Sequence, residues 1–230
     1  MQRRPRCDVY AISTTEEAAI ADADTEPRQS TVMERTRDLY LSERAAVACM
    51  LARAFANDPL AQYVFPEDAI RRKRLVSVYR LYLRVFEQKG LVSINDDGTA
   101  AALWLPPGRY PLSLTEHVLL LPRMMLATGV QNLPGALRVL THLEKMHPVG
   151  RRFWYLGVLG VEPDRQGSGV GSALLATGLR ICDHDKVGTY LETAEPRNLP
   201  FYAKFGFDVL SATELREGPL VWSVWREPAK

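Results

Sequence analysis

The clearest hydrophobic pattern in this chain is a short apolar run followed by a helical periodicity. Residues 153–159 are aromatic, aliphatic or β-branched apart from one glycine, and a run of this length predicts a buried strand. Further on, apolar or small residues recur at spacings of three and four, as they do on one face of a helix. These residues are Leu174, Leu175, Gly178, Leu179, Ile181 and Cys182. The pattern therefore predicts a strand and a helix that are separated by a glycine-rich turn.

Upstream of this strand the pattern predicts two helices and a hairpin. The first helix begins after Ser42, its predicted N-cap, and ends at Asn57-Asp58-Pro59. The second opens at Pro66-Glu67, and we expect its basic side chains to lie on a solvated face. These side chains are Arg71, Arg72, Lys73, Arg80 and Arg84. Two short apolar runs at 91–94 and 100–105 flank a turn-rich connector, which favours a β-hairpin.

The remaining segments complete a sheet with helices on it. They are a strand near 32–37, helices within 114–146, a strand at 187–193, a short helix at 197–205, and antiparallel strands at 209–214 and 220–226. This order has one βαβ crossover in its centre and predicts an α/β (α+β) fold, with a mixed sheet of about six to seven strands flanked by helices. Residues 1–30 are predicted to form a flexible arm, and 31–230 a single domain with a helical insertion at about 112–147.

Composition and charge exclude only a few classes of function. The 29 basic and 27 acidic residues give a net charge of +2, so we expect no nucleic acid partner. No apolar run is long enough to cross a bilayer, so we expect no membrane partner. The three cysteines are odd in number and far apart, which favours reduced thiols in a cytoplasmic protein.

The glycine-rich turn is a candidate phosphate-binding site. Gly167, Gly169 and Gly171 permit positive φ angles and leave backbone N–H groups uncovered, while the following helix adds the positive end of its dipole. A dinucleotide-binding motif fits poorly because five residues separate the strand from the glycines. A Walker-type loop is excluded because the sequence Gly-Lys-Ser/Thr does not occur. From the residues alone, a phosphate site and an ordinary helix-opening turn both stay open.

Two sequence motifs resemble those of a known family. Val161-x-Pro163 followed by Gln166-x-x-Gly169-x-Gly171 resembles the acetyl-CoA signature of the GNAT N-acetyltransferases. Downstream, Tyr202-x-x-x-Gly206-Phe207 resembles the second motif of that family. The segments around Glu192 and Asn198 are similar to the puromycin N-acetyltransferase branch. The resemblance extends from about residue 154 to the C-terminus and is thinner over 47–108.

The resemblance implies a fold, a cofactor and the residues that hold it. The fold is the GNAT fold, in which acetyl-CoA binds where the two central parallel strands splay apart. The backbone of Leu159, Gly160 and Val161 would pair with the pantetheine arm, and the glycine-rich loop would hold the pyrophosphate. The implied loop residues are Gln166, Gly167, Ser168, Gly169, Val170, Gly171 and Ser172. Asn198 is a further cofactor contact by the same resemblance, and no metal is expected.

Two residues are the catalytic candidates. The resemblance gives Tyr202 the protonation of the departing thiolate, and Glu192, at the end of its strand, is the best candidate for the base, acting directly or through water. Structural alternatives stay open for each: Tyr202 as a packing residue, Glu192 as an acceptor of backbone N–H bonds, and Asn198 as a helix cap. The helices of the insertion either close over the acceptor or only cover one face of the sheet.

Several other polar residues are weaker candidates. Asp58, Tyr63 and Trp104 lie in segments that border the acceptor in similar folds, and they are equally interpretable as packing or turn residues. His147 is expected at the surface rather than in the pocket. His184, which stands between two aspartates, is expected on a solvated connector rather than at a metal site.

The predicted function is the transfer of acetyl from acetyl-CoA to a primary amine of a small molecule, by direct attack in a ternary complex. Two alternatives are kept: acetylation of protein N-termini or lysines, and a non-catalytic CoA-binding module. Monomer and homodimer both stay open.

Overall fold

The computed structural model describes residues 36–110 and 114–229, in which seven strands form one mixed sheet. The strands are β1 (Thr36–Asp38), β2 (Leu91–Asn95), β3 (Ala100–Leu105), β4 (Phe153–Val161), β5 (Gly188–Thr193), β6 (Asp208–Glu214) and β7 (Leu220–Arg226). Their order across the sheet is β1-β2-β3-β4-β5-β7-β6. Only β4 and β5 are parallel neighbours within these residues. The predicted mixed sheet of six to seven strands is confirmed. The predicted arm, 1–30, and the first part of the predicted strand at 32–37 lie outside the described residues.

Helices cover both faces of the sheet. They are α1 (Arg44–Ala54), α2 (Pro59–Val64), α3 (Asp68–Lys89), α4 (Leu114–Thr128), α5 (Leu133–Met146), α6 (Val170–His184) and α7 (Leu199–Ala203). The predicted insertion corresponds to α4 and α5, and 111–113 lie outside the described residues. Among the described helices, none combines the length and the apolarity that a membrane span requires.

Each face of the sheet packs against its own hydrophobic core. On one face, Ile94 and Leu103 of the hairpin pack with the fully buried Leu83 of α3. On the other face, Trp104 and Leu174 belong to a second core that is built on α6. Burying one such leucine stabilises the fold by roughly 1.5–3 kcal/mol, so the two cores fix how the sheet is sandwiched between the helices.

The N-terminal helices differ from the prediction in three places. Glu43, not Ser42, precedes α1, and the Glu43 carboxylate pairs with the arginine of β1 instead of capping the helix. Asp58 does not merely end a helix, because its Oδ1 accepts hydrogen bonds from two backbone N–H groups of α2 and so caps that helix. Arg71 is not on a solvated face: it lies one turn before the buried Leu75 and is itself buried.

The end of α6 is tied to the C-terminal strand. Asp183 accepts hydrogen bonds from both terminal nitrogens of Arg226, at 2.6 and 2.9 Å, and from the backbone N–H of Ala229 at 2.7 Å. These bonds, with Arg226 the larger cause, hold the pKa of Asp183 below its ordinary value. His184 is the last residue of α6 rather than part of a connector, and its side chain is exposed. Asp183 is therefore a structural anchor between α6 and β7.

Candidate active site

The two central strands separate part-way along their length. Strand β4 pairs with β5 only from Phe153 to Tyr155, opposite Gly188 to Tyr190. Beyond this point β4 continues to pair with β3 on its other side, and β5 continues to pair with β7. The edge of β4 after Tyr155 is therefore open toward β5. An open strand edge offers backbone N–H and C=O groups to an extended ligand.

A β-bulge at Gly157 changes which side chains of β4 point to each face of the sheet. Trp104 pairs with Leu156 and Leu103 with Val158, so Gly157 is an extra residue without a partner in β3. Before the bulge, odd-numbered residues of β4 face α1 and α3, whereas after it the even-numbered residues do. A side chain at Gly157 would not fit, because a Cβ there would lie 2.4 Å from Cζ of Phe86. The bulge thus falls at the point where β4 leaves β5.

The glycine-rich loop presents backbone N–H groups to solvent. Gly167 and Gly169 have φ angles of +80° and +93°, and Gly169 is the N-cap of α6. The first-turn N–H groups of Val170, Gly171 and Ser172 have no intrahelical acceptor, and the positive end of the helix dipole adds to them. This stretch fits a diphosphate group.

Two side chains of the loop stabilise its own conformation. Gln166 Nε2 donates to the carbonyl of Val161 at 3.2 Å, and Ser168 Oγ donates to the carbonyl of Arg165 at 2.5 Å. Gln166 therefore ties the loop to the end of β4. The cofactor contacts expected of Gln166 and Ser168 stay predictions.

The positive φ angle of Gly169 allows a direct test of cofactor binding by the loop. We expect Gly169→Ala to raise the KM for acetyl-CoA about 5- to 30-fold, because a Cβ at φ +93° costs about 1–2 kcal/mol and shifts the N–H groups. The measurement is the KM for acetyl-CoA at saturating amine. Gly98→Ala is the matched control, since Gly98 also has a positive φ but lies in the β2–β3 turn, so its KM for acetyl-CoA should match that of the wild type. Equal effects of the two substitutions would contradict the assignment of the loop.

A partly open cavity lies on the α1 and α3 side of the splay. Its volume is about 200 Å³. The insertion contributes a large part of its apolar lining through Met124, Ala127, Ala136, Val139, Leu140 and Leu143. Four polar residues other than tyrosines also line it, namely Asp58, Thr128, Glu192 and Thr193. Of the two alternatives for α4 and α5, the structure supports the one in which they form part of a pocket wall.

Glu192 lies where β5 leaves β4, and its carboxylate faces the cavity. Only 4% of its side chain is exposed. Its Oε1 lies 2.7 Å from Nε2 of His147 and accepts no backbone N–H bond. Burial raises the pKa of Tyr82, Tyr110 and Tyr155, and the nearby carboxylate of Glu192 raises each pKa further. These phenols therefore keep their protons and surround the carboxylate as neutral groups.

Tyr202 lies in α7 on the opposite side of the splay. It is 7% exposed, and its ring packs edge-on against Phe201 and Phe207. Burial raises the pKa of Tyr202, and the carboxylate of Asp58 raises it further. The hydroxyl therefore stays protonated at neutral pH, as a proton donor must. Packing and proton donation are compatible roles for this side chain.

The cap predicted for Asn198 is wrong. Asn198 precedes α7 but makes no side-chain cap bond, and its Nδ2 instead donates to Oγ1 of Thr193 at 3.2 Å. Glu195 caps the adjacent 3₁₀ turn. Asn198 thus connects α7 to the end of β5, and its contact with a cofactor stays a prediction.

Of the three weaker candidates Asp58, Tyr63 and Trp104, only Asp58 lines the cavity. Asp58 both caps α2 and lines the cavity, where burial raises its pKa above the ordinary value. Tyr63 donates to the carbonyl of Arg216 away from the cavity. Trp104 is buried in the α6 core, not beside the acceptor. Within 36–110 and 114–229, no cluster of three or more His, Cys, Asp and Glu side chains is placed to hold a metal ion.

The surface position favoured for His147 is wrong, because its side chain is 6% exposed and its Nε2 lies 2.7 Å from Oε1 of Glu192. The sequence did not predict this contact. One feature of the sequence does indicate that His147 is buried. It directly follows α5 and stands just before β4, where the chain must enter the core. Periodicity could not show which strand its ring would meet.

Comparison with known proteins agrees with this geometry. Residues 127–207 match the model of the acetyltransferase (GNAT) family, and this segment includes the splay, the glycine-rich loop and Tyr202. The match covers about a third of the chain, and over that segment the chain is similar to the GNAT acetyltransferases. The expected GNAT fold is also found in solved structures. A Corynebacterium glutamicum protein described as histone acetyltransferase HPA2 and related acetyltransferase superposes with a TM-score of 0.65 at 22% identity, over 85% of this chain and 96% of that one.

Two more proteins are similar to this chain. Arylalkylamine N-acetyltransferase 2 of Aedes aegypti superposes with a TM-score of 0.59 at 11% identity, over 85% of this chain and 99% of that one. An uncharacterised N-acetyltransferase of Schizosaccharomyces pombe is 25% identical over 170 residues, which are 70% of this chain and 68% of that protein. At these identities the two solved structures establish the fold of this chain, not its acceptor.

Proposed function

We propose that this acetyltransferase transfers acetyl from acetyl-CoA to a primary amine of a small molecule, by direct attack in a ternary complex. One observation carries the proposal. Strands β4 and β5 separate beyond Tyr155, β4 leads into the glycine-rich loop before α6, and Glu192 of β5 lines the cavity on the α3 side. A donor with a diphosphate and an acceptor with an amine would therefore meet at one opening in the sheet.

The residues at the splay fit acetyl-CoA. The open edge of β4 at Leu159, Gly160 and Val161 suits an extended amide-containing arm, and the N–H groups of the loop suit the diphosphate. Acetyl-CoA supplies the activated acyl group as a thioester. The protein's contribution begins with holding the two reactants together, which converts a bimolecular encounter into an intramolecular one.

Glu192 and Tyr202 supply the proton transfers in this proposal. An amine attacks only in its neutral form, and a lysine-like amine with a pKa of about 10.4 is almost entirely protonated at pH 7. Glu192 faces the cavity and would remove that proton, directly or through water. Tyr202 lies across the splay with its proton retained and would protonate the departing thiolate.

The cavity supports a small acceptor over a protein chain. Its volume is only about 200 Å³, and its walls, which include residues of α4 and α5, are mainly apolar. An amine with a compact apolar body would bury that body against the insertion and bring its nitrogen to Glu192. The name of the Aedes aegypti relative denotes an acceptor of this kind for that protein. The resemblance to the puromycin N-acetyltransferase branch makes puromycin one acceptor to include.

The test is the release of free thiol from acetyl-CoA with a panel of amines. The panel contains arylalkylamines, aliphatic monoamines, diamines, puromycin, and peptides with a free N-terminus or lysine. We expect turnover with at least one small amine and at most weak turnover with peptides. Preferential turnover of peptides would favour the protein-acetylating alternative. Tight binding of acetyl-CoA without turnover of any amine would favour the non-catalytic one.

The part of the cavity wall that the insertion forms predicts an effect on the KM for the amine without an effect on the KM for acetyl-CoA. We expect Ala136→Phe to raise the KM for the amine at least about tenfold, because the larger side chain enters a cavity of about 200 Å³. The KM for acetyl-CoA should stay near the wild-type value, since the loop lies on the other side of the sheet. Leu137→Phe, at an exposed position of the same helix, is the control. A change in both KM values would indicate a general disturbance of the fold.

A further inference from the structure

We propose that His147 is a positioning residue for the base Glu192, holding its carboxylate with one oxygen toward the ring and the other toward the cavity. This inference rests on the proposed function. It begins from the place where the ring lies. His147 is the C-cap of α5 and takes an extended backbone conformation, which directs the chain away from the helix and into the core.

Aromatic rings enclose the imidazole. Tyr110, Tyr190, Tyr155 and Phe153 have ring centroids 4.5, 5.0, 5.3 and 5.7 Å from that of His147. Tyr190 also donates its hydroxyl to the carbonyl of Met146 at 3.0 Å, which fixes the end of α5 to β5. The ring position is therefore set by packing on several sides and by a hydrogen bond of the preceding residue.

The two ring nitrogens have different surroundings. Both nitrogens are buried and neither makes a well-aligned hydrogen bond among the described residues, but Nε2 lies 2.7 Å from Oε1 of Glu192. A neutral imidazole has one N–H, and placing it on Nδ1 would bury an unsatisfied donor and set two acceptors against each other. The proton therefore belongs on Nε2, the nitrogen nearest to the carboxylate.

The present ring orientation does not direct the Nε2 proton along the line to Oε1, although the separation is that of a strong hydrogen bond. Such bonds are often poorly aligned before the reactants bind. A phenylalanine would fill the same aromatic space without burying two nitrogens. The polar contact with Glu192 is what distinguishes histidine from a packing residue at this position.

Other titratable groups near this pair are the phenols of Tyr82 from α3, Tyr110 from the segment before α4, Tyr155 from β4 and Tyr190 from β5. Glu144 of α5 also acts on Tyr110, and it pairs with His117. Since the phenols remain neutral, none of them supplies a charge that could replace the imidazole beside Glu192. Removing the imidazole should therefore take away the polar contact that orients the carboxylate toward the acceptor.

The kinetic test compares His147→Phe with His147→Gln. We expect His147→Phe to lower kcat by roughly 10- to 100-fold with little change in the KM for acetyl-CoA. His147→Gln restores a donor near the position of Nε2 and should recover most of the lost kcat. His117→Phe removes the imidazole from a partly exposed His–Glu pair outside the cavity and should leave kcat unchanged. A wild-type kcat for His147→Phe, or equal losses for both His147 variants, would overturn the proposal.

A second measurement does not depend on turnover. In ¹⁵N-histidine-labelled protein, we expect His147 to be protonated at Nε2, with a proton resonance that is absent from Glu192→Ala. Protonation at Nδ1, or an Nε2 signal unaffected by Glu192→Ala, would overturn the positioning role. If the wild-type protein turned over no amine in the panel, the proposed function would fail, while this spectrum would still decide whether the contact exists.

Discussion

Tyr202→Phe is expected to lower kcat by about 10²–10⁴-fold, the usual contribution of a positioned general acid. The substitution removes the hydroxyl but keeps the ring that packs against Phe201 and Phe207, so the fold should be preserved. Because burial and Asp58 raise the pKa of Tyr202, the phenol carries its proton throughout the neutral range. The measurement is the steady-state rate of thiol release at saturating acetyl-CoA and amine.

The control for this prediction is Tyr40→Phe, since Tyr40 is 64% exposed and lies outside both the splay and the cavity. Its kcat should equal that of the wild type. Thermal unfolding of both variants checks that the fold is intact. A near-normal rate for a well-folded Tyr202→Phe would leave Tyr202 as a packing residue and remove the general acid from the mechanism.

Glu192→Gln is expected to lower kcat/KM at neutral pH by about 10²–10⁴-fold, with a deficit that shrinks as the pH rises. Without the base, only amine that has already lost its proton can react. The neutral fraction of an amine rises about tenfold for each pH unit below its pKa. The pH–rate profile of the variant should therefore rise steadily toward the pKa of the acceptor.

Glu214→Gln provides the comparison, because Glu214 is an exposed carboxylate on the outer strand β6. Its profile should superpose on that of the wild type. A loss in Glu192→Gln that is the same at every pH would indicate that Glu192 binds or orients the acceptor without accepting its proton. In that case the amine would lose its proton to solvent before it attacks.

The proposed acid and the proposed base come from opposite sides of the sheet, which gives the splay its importance. Glu192 lines the cavity to which α3, α4 and α5 contribute, while Tyr202 belongs to the core on the α6 side. In a fully paired sheet, backbone hydrogen bonds would separate these two groups. The opening beyond Tyr155 and Tyr190 allows one reacting centre to be reached from both sides.

Local features of the sequence were sufficient for much of the fold. Alternation and helical spacing predicted the hairpin, β4, α6 and the last two strands, because both report the geometry of neighbouring residues. The glycines predicted an anion-binding turn for the same reason. Gly167 and Gly169 have positive φ angles, which glycine adopts without the steric cost of a Cβ. The resemblance of the motifs then indicated the family.

Tertiary structure decided the contents of the site. The bulge at Gly157 exists only in the pairing of β4 with β3, and it reverses which residues face the cavity. His147 meets Glu192, and Asp58 acts on Tyr202, although each pair is distant in the chain. Sequence periodicity carries no information on such encounters, because strand register and helix packing depend on the whole core. The chain by itself therefore specified its elements and its loop, and only their assembly brought His147 to Glu192 and set these residues and Tyr202 on opposite faces of the sheet.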